Sequence, residues 1–70
     1  MTKAEVEKLL TSKGWEKDKF SYHLGERTIE LCSNWMEYNN KHYRYDEMVL
    51  FGSYLMIASN GDQIDTRRKR

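Results

Sequence analysis

The chain has 70 residues, 12 basic and 11 acidic, giving a formal net charge of +1, with one cysteine and no proline. A chain of this length is one small domain that buries only about 60% of its unfolded surface, so its stability is expected to be marginal. A lone cysteine excludes an internal disulfide and a zinc-type cysteine pair, and fits a reducing, cytoplasmic setting. No apolar run approaches the roughly 18 residues of a membrane span, and the first residues are amphipathic and charged, unlike the apolar core of a signal peptide.

Thr2 to Trp15 carries the marks of a short helix. Thr2 with Glu5 three residues on makes a capping box, and Met1 is placed to staple onto Val6. Gly14 suits the left-handed position after the last turn, which lets Trp15 fold back over Leu10. Val6, Leu9 and Leu10 form one apolar stripe. A helix of about 12 residues is unstable alone, so it is expected to lie on a sheet.

Glu16 to Lys19 reads as a charged link. Alternation then places Phe20, Tyr22 and Leu24 inward, and Gly25-Glu26 turns the chain so that Leu24 opposes Arg27, Tyr22 opposes Ile29 and Phe20 opposes Leu31. Parity fails near Ser33-Asn34, where a bend is expected. Asn39-Asn40 closes another hairpin, with Met36 opposite Tyr43, Glu37 opposite His42, and Trp35 opposite Arg44, whose guanidinium is expected to stack on the indole. Asp46-Glu47 marks a corner.

Met48 to Arg67 then reads as three strands with two-residue turns at Gly52-Ser53 and Asn60-Gly61. In that register Leu50 faces Leu55 and Ile57 faces Ile64, so Met48, Leu50, Leu55, Ile57 and Ile64 form the core face. The reverse face holds Val49, Phe51, Tyr54 and Met56, with Tyr54 opposite Arg67. The expected fold is α+β: a short N-terminal helix on a curled, half-barrel-like antiparallel meander of about six or seven strands. Residues 1–66 form the domain and 67–70 a basic tail. In size and strand order the chain loosely resembles a fragment of an SH3-type or pleckstrin-homology-type barrel. In size and make-up it is similar to the short proteins encoded by phages and mobile elements.

Function is read from surfaces, because no catalytic motif appears. In the first hairpin's register Cys32 and His23 sit in rows roughly 13 Å apart, too far for a nucleophile and its base. His23, His42 and Cys32 lack metal-ligand spacing, and no glycine-rich phosphate loop is present, so no cofactor, metal or small-molecule substrate is expected. The apolar and aromatic set Val49, Phe51, Tyr54 and Met56, with Trp35, points to a non-catalytic module that associates with another protein or with a second copy. In a phage-like setting that means inhibiting or modulating a host complex. The alternative is nucleic-acid binding by Arg44, Arg67, Arg68, Lys69 and Arg70. Without the last four of these the 12 basic residues fall to 8 against 11 acidic ones, so the body is acidic and a broad basic groove is disfavoured.

Overall fold

The capping box forms as the sequence implies: the Glu5 N–H donates to Thr2 Oγ1 at 3.2 Å and the Thr2 N–H donates to Glu5 Oε1 at 2.8 Å. In this computed structural model, which describes residues 1–68, the cap opens helix α1, Lys3–Ser12. The helix closes with both hydrogen bonds of a Schellman arrangement, from Trp15 N–H to the Leu10 carbonyl (3.0 Å) and from Gly14 N–H to the Thr11 carbonyl (3.1 Å). Gly14 sits at φ +87°, a conformation that costs a side-chain-bearing residue about 1–2 kcal/mol.

Among the described residues eight strands follow in two antiparallel sheets. β1 (Glu16–Asp18), β2 (Ser21–Leu24), β3 (Arg27–Leu31), β4 (Trp35–Tyr38) and β5 (Lys41–Arg44) form a five-stranded sheet in sequence order. A 3₁₀ turn at Tyr45–Glu47 leads into β6 (Met48–Phe51), β7 (Leu55–Ala58) and β8 (Gln63–Asp65), a separate three-stranded sheet. The α+β class holds, while the single continuous meander does not: the chain breaks at the acidic corner and starts a second sheet.

Two hairpins keep their expected registers. Leu24 pairs with Arg27 and Tyr22 with Ile29; Met36 pairs with Tyr43 and Trp35 with Arg44. Asn39 and Asn40 are both left-handed, at φ 57° and 63°, as a type I′ turn requires. The bend at Ser33-Asn34 is also present, closed by the Cys32 N–H donating to the Trp35 carbonyl at 2.8 Å. The charged link Glu16–Asp18, by contrast, is the edge strand β1, paired to β2 through a turn in which Lys19 adopts φ 55°. That turn carries Phe20 to the outside, 72% exposed, not into the core as the alternation implied.

One hydrophobic cluster joins all three layers: Val6, Leu9 and Leu10 of α1, Trp15, the inner residues of the first sheet, and Met48, Met56, Ala58 and Ile64 of the second. Polar ties cross the seams. Trp15 Nε1–H donates to the Thr66 carbonyl at 2.8 Å, and the Tyr43 hydroxyl donates to Asp62 at 2.8 Å. The Met1 nitrogen donates to the carbonyls of Tyr45 and Met48, fastening the start of α1 to the junction between sheets. No helix among the described residues is long and apolar enough to cross a membrane.

Candidate protein-binding face

The outer face of the three-stranded sheet is set by its two turns, and both hold three residues where two were expected. Phe51 pairs with Leu55, Leu50 with Met56, Val49 with Ile57, and Met48 with Ala58. On the other side Met56 pairs with Ile64 and Ile57 with Gln63. The second loop closes with the Gly61 N–H donating to the Ala58 carbonyl at 2.9 Å, and Gly61 alone is left-handed, at φ 92°. A turn followed by one left-handed glycine is the usual three-residue hairpin loop. The Asn60 Oδ1 caps it by accepting from the Asp62 N–H at 3.0 Å.

Each extra residue shifts the pairing by one, and the two shifts together invert β7 relative to both neighbours. Cross-strand partners share a face and neighbours along a strand alternate. Met48, Leu50, Met56, Ala58 and Ile64 therefore line the core side, and Val49, Phe51, Leu55 and Ile57 the outside. Met56, expected on the exposed face, is fully buried. Leu55 and Ile57, expected in the core, sit half-buried on the outside. Leu50 keeps its core-side orientation but lies at the rim, 44% exposed.

The resulting face is more aliphatic than the sequence reading implied. Val49 is 62% and Phe51 67% exposed, and Phe51 stands beside Leu55 while Val49 stands beside Ile57. At one corner Tyr54 lies under the Arg67 guanidinium, 3.8 Å from ring centroid to the guanidinium carbon, a cation–π contact at an exposed site. Asp65 holds that guanidinium in place, accepting from Nε at 3.2 Å and Nη2 at 2.9 Å. The hydrogen bond raises the Arg67 pKa and lowers that of Asp65, each partner favouring the other's charged form. Arg67 is thus folded onto the sheet, while Lys69 and Arg70 lie outside the described residues.

Trp35 belongs to the other sheet. It stacks on His42, with ring centroids 6.0 Å apart and planes 27° from parallel, and His42 is hydrogen-bonded to Glu37. Arg44 does not cover the indole as expected; it forks onto Asp46 at 3.2 and 3.1 Å. The Asp46 carboxylate is held below its ordinary range chiefly by that hydrogen bond. The nearer carboxylate satisfies the guanidinium bidentately, which an indole face cannot do. This outer face is polar and mildly acidic, with Glu30 paired across the strands to Glu37 and the open groove of about 580 Å³ beside them.

The groups weighed for chemistry do not converge. Cys32 is half-buried, and its thiol pKa is raised by burial first and then by the negative charges of Glu30 and Glu37. That is opposite in direction to the shift that activates a thiolate. His23 hydrogen-bonds Thr28 and His42 bonds Glu37. Among the described residues no group of three or more His, Cys, Asp or Glu is arranged to hold a metal. Tyr43 and Tyr45, interleaved with basic residues in the sequence, are buried and provide no platform for stacking bases.

Comparison with protein-family models, curated proteins and solved structures finds no match to this chain.

Proposed function

We propose that the protein works by association: the outer face of β6 and β7 docks onto an apolar surface of another protein, and the effect on that partner comes from occupying it, as an inhibitor or modulator does. The observation that carries this reading is the exposure of Val49 and Phe51, more than half of each, on a face continued by Leu55 and Ile57. An isolated exposed apolar side chain is ordinary; a contiguous set on one sheet face, bordered by a tyrosine and an arginine, has the make-up of an interface centre.

Nucleic-acid binding is the second reading and has less to draw on. Both Arg44 and Arg67 are already neutralised by carboxylates, Asp46 and Asp65, which leaves Arg68, with Lys69 and Arg70, as its source of charge.

The test compares wild type with Phe51→Asp as baits in an extract of the native host. Partners that bind wild type, resist raised salt and are lost with Phe51→Asp support the face, provided the variant keeps its circular dichroism and melting temperature. Partners retained by Phe51→Asp, or nucleic acid released steeply as salt rises, would overturn it.

A further inference from the structure

Two-residue loops join β1 to β2 and β2 to β3, and both put their first residue in the left-handed region. In the second loop that residue is Gly25, at φ 62°; in the first it is Lys19, at φ 55°. A positive φ at the first loop position alone is the type II′ pattern, where glycine is the expected residue. A lysine there is strained, and left-handed residues other than glycine cluster at functional sites. The next residue, Phe20, is 72% exposed, more than any other large apolar side chain among the described residues. Its carbonyl accepts from the Leu31 N–H at 2.9 Å, so a fixed backbone displays the ring. One short loop thus holds two side chains that folding alone does not ask for.

Lys19 and Phe20 line a hollow of about 220 Å³ at the seam between α1 and the first hairpin, together with Lys3, Glu7, Lys17 and Tyr22. Lys17 stands opposite Tyr22, on the helix side of the sheet, whereas Glu16 and Asp18 stand opposite His23 and Ser21 on the other side. The strand sorts its charges, turning its lysine toward the hollow and its carboxylates away. Three ammonium groups, of Lys3, Lys17 and Lys19, therefore share the hollow with one carboxylate, of Glu7. Glu7 already accepts from the Tyr22 hydroxyl at 3.1 Å and lies 3.8 Å from Lys17. Three positive charges less one negative leaves a surplus of two, beside an exposed aromatic ring.

We infer that this hollow binds a small phosphate monoester carrying a flat ring, with the phosphate among the three lysines and the ring against Phe20. A monoester carries close to two negative charges at pH 7, which matches the surplus. A carboxylate, or a phosphodiester of a nucleic-acid chain, carries one. Lysine serves phosphate as a point charge and needs no fork geometry to do so. Drug-sized ligands fill about 300–1,000 Å³, so this hollow admits a single ring, free or at the end of a larger molecule. The loop belongs to the first sheet and the proposed protein-binding face to the second, so neither reading depends on the other.

Titration of the full chain with phenyl phosphate, followed by amide NMR, is the test. Saturating shifts should gather on Lys17, Lys19, Phe20 and Leu31, with a Kd on the order of 1 mM. Inorganic phosphate, which lacks the ring, and benzoate, which lacks the second charge, should each bind about five-fold more weakly or worse. Phe20→Ala should weaken phenyl phosphate by about five-fold or more, and Lys19→Gly by about three-fold or more. Both variants should melt within a few degrees of wild type, because Phe20 is exposed and glycine suits the loop. A phosphotyrosine peptide that binds more tightly than phenyl phosphate places the ester on a partner chain; one that binds no more tightly points to a free ester. Absence of saturation by about 20 mM, roughly twenty times the expected Kd, would overturn the inference. So would equal binding of inorganic phosphate or benzoate, or wild-type affinity in Phe20→Ala or Lys19→Gly.

Discussion

Truncating Met56 and Ile57 in turn asks which side of β7 is inside. Met56 is fully buried, against Leu50 and Ile64 across the strands. Met56→Ala should therefore carry the cost of a buried large-to-small change, about 2–5 kcal/mol, part transfer and part cavity. Ile57 is half-buried beside Val49 and the exposed Gln63, so its truncation loses a fraction of the transfer term and leaves no closed cavity, about 1 kcal/mol or less. A domain of this size has roughly 4–10 kcal/mol in total. Met56→Ala should thus lower the melting temperature by ten degrees or more, and Ile57→Ala by about five. Urea unfolding followed by tryptophan fluorescence suits the comparison, because Trp15 is buried in the same core. Equal m-values would keep the two midpoints comparable. A larger loss for Ile57→Ala than for Met56→Ala would refute the three-residue loops and restore the register read from the sequence.

Other outcomes follow from the same geometry. Burial, and then the hydrogen bond to Asp62, pushes the Tyr43 hydroxyl up to about 12, against about 10 in an unfolded chain. Because the folded value is the higher, stability from the protonated phenol is complete below pH about 10 and drains away as pH rises toward 12. Tyr45 is raised to about 12 by burial as well, so Tyr43→Phe should flatten the alkaline loss of stability only in part, as read by melting temperature against pH. On the acid side Asp62 is held below its ordinary value, first by Tyr43 and then by Lys41. The stability it adds is present above pH about 4 and falls away below it, so Asp62→Asn should blunt the acid transition. Gly14→Ala should cost about 1–2 kcal/mol by chemical denaturation. At φ +87° the backbone resists a Cβ, and the Arg68 guanidinium, 3.8 Å from where that Cβ would sit, leaves room for it.

What the sequence revealed depended on whether one conformation was left standing. The helix was legible because cap, stripe and stop agree on it, and each was found where the residues put it. Asn39-Asn40 admits a two-residue turn readily, since asparagine tolerates the left-handed region twice in succession. Asn60-Gly61 looked equivalent, yet only Gly61 turns left-handed while Asn60 uses its side chain to hold Asp62. Hydrophobic pattern could not choose between the registers, because Leu55, Met56, Ile57 and Ala58 are apolar on both sides of the strand. Glu16–Asp18 hid as a strand for the opposite reason: with no apolar residue it pairs through backbone alone. The Arg44 and Trp35 pairing was right in register and wrong in partner, since Asp46 two residues away offers the guanidinium a bidentate site.

Every residue assigned to the binding face depends on which side chains of the middle strand point outward, and cross-strand Hα contacts measured by NMR report that directly. Opposed residues in a non-hydrogen-bonded antiparallel pair bring their Cα atoms to about 4.5 Å. Strong contacts should join Leu50 to Met56 and Ile57 to Gln63, the non-hydrogen-bonded pairs, because the Met48 carbonyl faces away from β7 and the Ala58 N–H donates across to the Asp62 carbonyl. Contacts linking Leu50 to Leu55 and Ile57 to Ile64 would contradict it, turning Met56 outward and Leu55 and Ile57 into the core.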